Sequence, residues 1–283
     1  MTERTVMQVA ALTALALVAC AANSILCRLA LTTTAIDPAG FTLIRIASGA
    51  LGMGAVALLG GRGGSWRGGS WWGGIALLGY AAGFSFAYTA LPAGAGALLL
   101  FGAVQATMIV TGLIRGERLG WGQWCGVALA LAGLAVLVAP GVSAPPLAGA
   151  GLMVLAGVFW GWYSLLGCKG GDPTLATAGN FLRAVPMAVA VALVFSAELS
   201  FDPKGVLYGV LSGAVASGLG YGLWYAVLPS FSAARGASVQ LSVPVLTAVM
   251  AVMLLGESLS LRLMLSAAAV LGGIALVIAG RRA

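Results

Sequence analysis

Long apolar runs separated by short connections dominate the pattern of the chain. A helix that crosses a lipid bilayer needs about 20 mostly apolar residues, and ten runs of that kind follow one another. They lie approximately at Val6–Leu31, Pro38–Leu59, Trp71–Leu91, Gly94–Ile114, Trp121–Ala139, Leu147–Gly167, Pro173–Ala197, Gly205–Leu228, Ala233–Leu255 and Leu261–Ala279. The pattern predicts an all-α polytopic membrane protein with ten transmembrane helices and connections too short for an extramembrane domain.

The amino-acid composition agrees with a bilayer location for these runs. Hydrophobic residues fill 61% of the 283 positions and charged residues only 7%, whereas soluble chains carry about 25% charged residues. This balance excludes a water-soluble domain and a nucleic-acid-binding protein. The chain has no histidine, and Cys20, Cys27, Cys125 and Cys168 lack metal-ligand spacing, which favours packing roles. We therefore expect no catalytic residue, no metal site and no cofactor.

Basic residues predict the orientation of the helices. With the N-terminus in the cytoplasm, nine of them lie in cytoplasmic segments: Arg4, Arg62, Arg67, Arg115, Arg118, Lys169, Arg235, Arg281 and Arg282. Only Lys204 and Arg262 then lie in connections on the other side. Because an excess of Lys and Arg marks cytoplasmic loops, both termini are expected in the cytoplasm.

The two halves of the sequence resemble each other. The motif at Gly116–Leu119 (Gly-Glu-Arg-Leu) recurs 140 residues later at Gly256–Leu259 (Gly-Glu-Ser-Leu), and Asp-Pro opens both the second and the seventh span. Leu-Pro likewise ends the third and the eighth. Each half holds five predicted spans, and an odd number makes the second half enter the membrane from the opposite face. The sequence therefore predicts two inverted five-helix repeats, residues 1–143 and residues 144–283.

With these duplicated motifs, the chain resembles the drug/metabolite transporter superfamily, and within it the ten-helix EamA-type branch. It is most similar to the YddG-type exporters of aromatic amino acids. The resemblance covers nearly the whole chain, and it implies a bacterial inner-membrane carrier that exports amino acids. The fourth and ninth spans depart from one another, because Pro244 has no proline counterpart near Val104.

Aromatic and amide residues inside the predicted spans are the candidate substrate-binding residues. Aromatic residues spaced by three or four positions share one helix face. The candidates are Asn23, Tyr80, Phe84, Tyr88, Phe101, Gln105, Trp160, Tyr163, Tyr221, Trp224 and Gln240. Aromatic walls suit apolar side chains and hold an ammonium group by cation–π attraction, and an amino acid presents both groups. Packing or hydrogen bonding between helices is the alternative for each candidate.

Acidic residues lie at the ends of the spans. Asp37, Glu117, Asp172 and Glu257 occupy helix starts, where they suit capping and the positive end of the helix dipole. Because no acid lies at the centre of a span, coupling to protons through a protein carboxylate is disfavoured. Facilitated diffusion or exchange down the substrate gradient is the simpler interpretation.

Two arginines lie well inside predicted spans: Arg45 is eight residues into the second, and Arg183 is eleven residues into the seventh. Each either binds a carboxylate or phosphate of the substrate, or bonds helix-end carbonyls and reaches towards the headgroups. We favour the second interpretation for both, because a phosphate usually recruits several donors.

The sequence thus predicts a secondary transporter that exports amino acids, favouring aromatic and hydrophobic ones, by alternating access. The alternative is a carrier of another small solute on the same fold: a cationic drug, a sugar phosphate or a nucleotide sugar. A membrane enzyme is disfavoured because the short loops hold no nucleophile–base pair, and a channel because no charged ring or filter-like stretch occurs. The expected partners are the amino-acid substrate and the lipid bilayer, with no nucleic acid, and the protein is expected to be a monomer.

Overall fold

A computed structural model describes residues 5–61, 68–141, 144–167, 172–231, 236 and 239–280. The structure of these residues is all-helical, without strands, as predicted. The helices are α1 (Val6–Thr33), α2 (Pro38–Leu59), α3 (Trp71–Tyr88), α4 (Ala93–Ile114), α5 (Trp121–Val138), α6 (Leu147–Gly167), α7 (Pro173–Val194), α8, α9 (Ser242–Leu255) and α10 (Leu261–Gly280). Helix α8 joins the α-helical segments Pro203–Val210 and Gly220–Val227 through a π-helical segment, Leu211–Leu219.

Eight of these helices are long and apolar enough to cross a membrane: α1, α2, α4, α5, α6, α7, α8 and α10. The chain is therefore a multi-pass membrane protein. Helix α9 is a shorter apolar helix of 14 residues, and its predicted start at Ala233 lies outside the described residues. Helix α3 buries most of its side chains against neighbouring helices, so it offers little surface to lipid. Elsewhere the predicted and observed helix ends differ by at most three residues.

Aspartate–proline pairs begin three of the helices. The Asp37 carboxylate accepts hydrogen bonds from the first amides of α2, and Asp172 does the same for α7, which confirms their predicted capping role. Asp202, which the sequence analysis did not single out, caps α8. In each case the proline is the first helical residue, where its missing amide proton costs no helical hydrogen bond.

The principal contacts between helices follow the same pattern in the two halves of the chain. For each pair that makes such a contact, the two helices five places further along, counted cyclically, are also in contact. Helices α2 and α7, α4 and α9, and α5 and α10 pack directly against each other. The pair α3–α6 has its counterpart in α8–α1, the pair α4–α6 in α9–α1, and the pair α2–α8 in α7–α3. Helices α5 and α10 lie at the edge of the bundle, whereas α1, α3, α4, α6 and α8 surround its centre.

Candidate functional site

A small cavity of about 50 Å³ lies at the centre of the bundle. Helices α1, α3, α4, α6 and α8 contribute to its wall, together with the segment at the start of α9. The lining residues are Cys20, Asn23, Ser24, Tyr80, Phe84, Leu100, Phe101, Trp160, Tyr221, Gln240 and Val243. Seven of the eleven residues predicted to bind substrate are in this set, brought together from six segments that are distant in sequence.

Aromatic rings form one continuous wall of the cavity. The Trp160 ring lies 4.7 Å from the Tyr80 ring and 5.5 Å from the Tyr221 ring, measured between centroids. Phe84 lies 5.3 Å from Tyr80 on the next turn of α3. These separations are typical of favourable aromatic pairs, so α3, α6 and α8 meet through their rings.

The polar wall of the cavity is held by Asn23. Its amide oxygen accepts a hydrogen bond of 2.7 Å from the Ser212 hydroxyl, and its amide nitrogen donates one of 3.2 Å to the Ser217 hydroxyl. Both serines belong to the π-helical segment of α8. Asn23 therefore lines the cavity and also joins α1 to α8, which is the packing role that the sequence analysis left open for it.

Arg45 lies behind the aromatic wall and is almost completely buried, with 2% of its surface exposed. Its Nη2 donates a 2.9 Å hydrogen bond to the Tyr80 hydroxyl, and its guanidinium carbon lies 5.0 Å and 4.8 Å from the ring centroids of Tyr80 and Phe84. Its Nη1 is buried with no hydrogen-bond partner among the described residues. The headgroup interpretation is therefore wrong for Arg45, because the side chain points into the core.

Arg183 behaves differently. Its Nη1 donates to the carbonyl oxygens of Gly68, at 2.6 Å, and Gly179, at 2.9 Å. The bond to Gly68 ties α7 to the turn before α3, and the bond to Gly179 lies within α7. Arg183 therefore bonds carbonyls, as one of the predicted roles requires, but they lie in a turn and inside α7 and not at helix ends.

Four predicted site residues lie outside the cavity wall. Tyr163 stacks behind Trp160 and donates a 3.1 Å hydrogen bond to the Thr177 hydroxyl. Tyr88 meets Phe84 edge-on and donates to the Ala93 carbonyl. The other two are Gln105, one turn beyond Phe101 on α4, and Trp224, whose ring stacks on Phe231. Helix period placed the three aromatic residues on the same helix faces as lining residues, and Gln105 was a candidate as an amide in mid-span. Neither signal tells how close a side chain comes to the cavity.

Hydrogen bonds link the helix ends and connections on one face of the bundle. We call it the odd face, because it carries the connections that follow α1, α3, α5, α7 and α9. There the Ala93 amide donates to both carboxylate oxygens of Glu257, at 3.0 and 2.8 Å. The same carboxylate forms an ion pair with Arg28 at 3.5 Å. Arg28 also donates to the Tyr88 carbonyl at 2.8 Å. Glu257 thus caps α4, not the helix that follows it in sequence.

A second, larger groove of about 240 Å³ lies between α4, α9 and α10. Its lining is apolar throughout, with Gly94, Leu98 and Pro244 on one side and Leu263 and Ala267 on the other. The described residues of this groove offer no side-chain hydrogen-bonding group to orient a polar solute, so the central cavity is the better candidate site.

Sequence reasoning missed Cys20 and underestimated Arg45. Cys20 lies three residues before Asn23, and that helical spacing was the available signal. For Arg45 the signal was its position eight residues into an otherwise apolar span. Within the part of the chain that the structure describes, no three His, Cys, Asp or Glu residues are grouped as metal ligands.

Comparison with known proteins assigns the fold and the family. The profile of the EamA-like transporter family matches residues 147–279. An uncharacterized protein of Pseudomonas aeruginosa is 55% identical over 270 residues, which cover 95% of this chain and 94% of that protein. A crystal structure with 22% sequence identity superposes with a TM-score of 0.67 over 96% of this chain and 98% of its own. At that identity the superposition supports the fold alone.

Proposed function

The chain belongs to the EamA-like transporter family, and we propose that it exports amino acids, favouring aromatic and hydrophobic ones. The observation that carries the proposal is the central cavity, where the rings of Tyr80, Phe84, Trp160 and Tyr221 line the same space as the Gln240 amide. Rings suit an apolar side chain, and a few polar groups orient the other end of the molecule. The similarity of the sequence motifs to those of YddG-type exporters supports the same specificity.

Transport by this route requires the cavity to change size. Its volume of about 50 Å³ holds only a few water molecules, whereas pockets for small ligands run to about 300 Å³ or more. The rings of Trp160 and Tyr221 must therefore separate to admit an amino acid. Such a change is expected of alternating access, in which the bundle opens towards one side of the membrane and then the other.

The proposed mechanism uses two inverted repeats, residues 1–143 and 144–283. What supports this division is the exchange pattern of helix packing, in which each principal pair has a counterpart five helices along. Equivalent elements in opposite orientations give two packings of similar energy, each open to one face. A ligand that binds both equally well is carried down its gradient without another energy source.

The proposed location is the bacterial inner membrane, with both termini in the cytoplasm. The excess of basic residues on one set of connections supports this orientation. Single cysteines introduced at each terminus, in a variant whose four native cysteines are replaced by alanine, should react with an impermeant maleimide only after the cell membrane is opened. Labelling of one terminus in intact cells would contradict the inverted-repeat arrangement.

Transport by the purified protein in proteoliposomes tests the substrate class. Vesicles that contain the protein are loaded with radiolabelled phenylalanine, tryptophan, methionine, threonine or a sugar phosphate. They should release the aromatic amino acids fastest. They should release the sugar phosphate no faster than protein-free vesicles loaded with the same compound do. An imposed pH gradient should leave the rate unchanged, since the described acidic residues lie at helix ends and in connections. Release of sugar phosphates alone would overturn the amino-acid proposal. Competition by quaternary ammonium compounds with a steep pH dependence would favour a drug carrier instead.

A further inference from the structure

We propose that Arg45 and Tyr80 form a carboxylate-binding subsite beside the central cavity. In this subsite the Tyr80 hydroxyl donates to the anion from the cavity wall, and Arg45 supplies the positive charge behind it. The proposal rests on the proposed function, because it names the group of an amino-acid substrate that the site binds. Its central observation is a buried guanidinium that has an unused donor.

The positive charge of Arg45 has no acidic partner among the described residues. The one ion pair described joins Arg28 to Glu257 at the odd face, and Asp37 is engaged at the start of α2 and with the Ser200 amide. A buried charge without a counter-charge is unfavourable in a protein interior. An anion bound next to Arg45 supplies that counter-charge, whereas a cationic ligand increases the cost.

The hydrogen-bond geometry leaves donors for such an anion. The Tyr80 oxygen accepts from Arg45 at 2.9 Å, so the phenolic hydrogen remains to be donated to another acceptor. Arg45 Nη1 is a second donor, buried and with no hydrogen-bond partner in the described part of the chain. The rings of Tyr80 and Phe84 that pack on the guanidinium also line the cavity. Arg45 is therefore separated from the cavity by a single layer of rings, through the residue with which it shares a hydrogen bond.

A purely structural role is the competing explanation, and Arg183 shows how such an arginine looks in this fold. Arg183 is bonded to two backbone carbonyl oxygens and joins two segments. Arg45 bonds one phenol that faces the cavity. The difference in partners indicates that Arg45 serves the cavity, whereas Arg183 serves the connection before α3.

This subsite orients the substrate. With its carboxylate at Tyr80, an amino acid places its ammonium group away from Arg45 and its side chain among the rings of Trp160 and Tyr221. Asn23 is engaged with two serines, which leaves Gln240 as a lining amide for the ammonium end. Arg45 of α2 and Tyr80 of α3 thus determine at which end of the cavity the carboxylate of the substrate lies.

Direct binding measurements on the purified full-length protein test the subsite. The probes are 3-phenylpropanoate and its uncharged amide, 3-phenylpropanamide, which share the ring and the chain and differ in charge. Isothermal titration should show that the acid binds about tenfold more tightly than the amide, as expected for a charged hydrogen bond. The variants Arg45→Gln and Tyr80→Phe should both reduce that ratio to about threefold or less, and Arg45→Lys should restore part of it.

Two matched controls accompany these variants. Arg183→Gln removes a second arginine that lies well inside a span, and Tyr208→Phe removes a hydroxyl from a half-buried tyrosine of α8 that does not line the cavity. Both should keep the ratio of acid to amide affinity at the wild-type value, even where they change thermal stability. Tyr80→Phe keeps the ring, so it tests the subsite if Arg45→Gln does not fold.

The subsite is overturned if wild-type protein binds acid and amide equally, if it binds neither where phenylalanine binds, or if the ratio persists in both variants. These outcomes are separable from failure of the proposed function. Preference for the acid without amino-acid transport would leave the subsite standing and end the exporter proposal. Amino-acid transport with equal affinity for acid and amide would leave the exporter proposal and end the subsite.

Discussion

The α5–α10 pair and the central cavity use the repeated sequence in opposite ways. In the pair, Gly126 of α5 lies against the Gly273 carbonyl of α10, and Gly133 lies against Ala269, Val270 and the Ser266 carbonyl, so α5 presents to α10 two glycines seven positions apart. The start of each helix also bonds a carbonyl near the end of the other: Gln123 donates to Val277 at 3.0 Å, and Arg262 to Ala139. Both halves of the chain therefore contribute alike to this contact.

The centre departs from that equivalence. When the two halves are aligned at Leu91-Pro92 and Leu228-Pro229, Ser217 of α8 is the counterpart of Tyr80 of α3. Asn23 of α1 bonds Ser217, whereas on the corresponding side Tyr80 packs on the Trp160 ring of α6. One side of the cavity is thus polar and the other aromatic. The comparison indicates that the duplicated features hold the scaffold, and that the cavity wall is built from positions where the halves differ.

The largest expected effect comes from breaking the equivalent pair. A Cβ at Gly273 would lie against the Gly126 carbonyl oxygen and 2.6 Å from the Ala130 amide nitrogen. Because both obstacles are backbone atoms, Gly273→Leu should force α5 and α10 apart at a cost of about 3 kcal/mol. We expect the thermal unfolding midpoint in detergent to fall by about 5–10 °C, measured by fluorescence-detected size exclusion.

The neighbouring glycine is the control for that substitution. A Cβ at Gly272 meets no atom within 4 Å, so Gly272→Leu adds the same side chain to the same helix without a collision. Its midpoint should stay within about 2 °C of wild type. An equal loss in both variants would show that α10 tolerates no added bulk, and that the glycine contact with α5 is not the reason.

A smaller effect on stability but a large one on transport is expected at the centre. Trp160→Ala removes the ring that joins Tyr80 to Tyr221, and each aromatic pair contributes about 0.5–1.5 kcal/mol. Transport of phenylalanine at subsaturating concentration should fall about tenfold or more, with a midpoint loss below that of Gly273→Leu. Trp124→Ala, on an outward-facing position of α5 that is 46% exposed, should leave transport unchanged. A midpoint loss equal to that of Gly273→Leu would identify Trp160 as a packing residue.

The contrast also explains what the sequence could and could not predict. Hydrophobic run length and the Asp-Pro pairs predicted the helices, because both act locally along the chain. Helix period predicted which residues share a face with the cavity wall, but not which of them reach the cavity. It therefore grouped Tyr88 with Tyr80, although the Tyr88 hydroxyl donates to the Ala93 carbonyl. The partners of Arg45 and Glu257 depend on contacts between helices far apart in sequence. Nothing local distinguishes Arg45 from Arg183.

The duplicated Gly-Glu-x-Leu motif provides the smallest expected effect and the most specific test of the odd face. Glu257 caps α4 and pairs with Arg28, and both side chains are about one-fifth exposed. Glu257→Gln keeps an oxygen for the Ala93 amide and removes the charge, so at most about 1 kcal/mol should be lost, or about 2–4 °C in midpoint. Raising the salt concentration should narrow the difference from wild type, because salt screens a partly exposed pair.

Arg28→Gln should produce a loss of similar size, and the double variant should lose less than the sum of the two, because the second substitution removes a partner that is already unpaired. Glu198→Gln, at an exposed position on the same face, supplies the same charge change without the cap and should leave the midpoint unchanged. Additive losses in the double variant would mean that Glu257 acts on α4 alone. The motif would then act as a helix cap that the second half of the chain supplies to α4 of the first half. The ion pair with Arg28 would contribute nothing to stability.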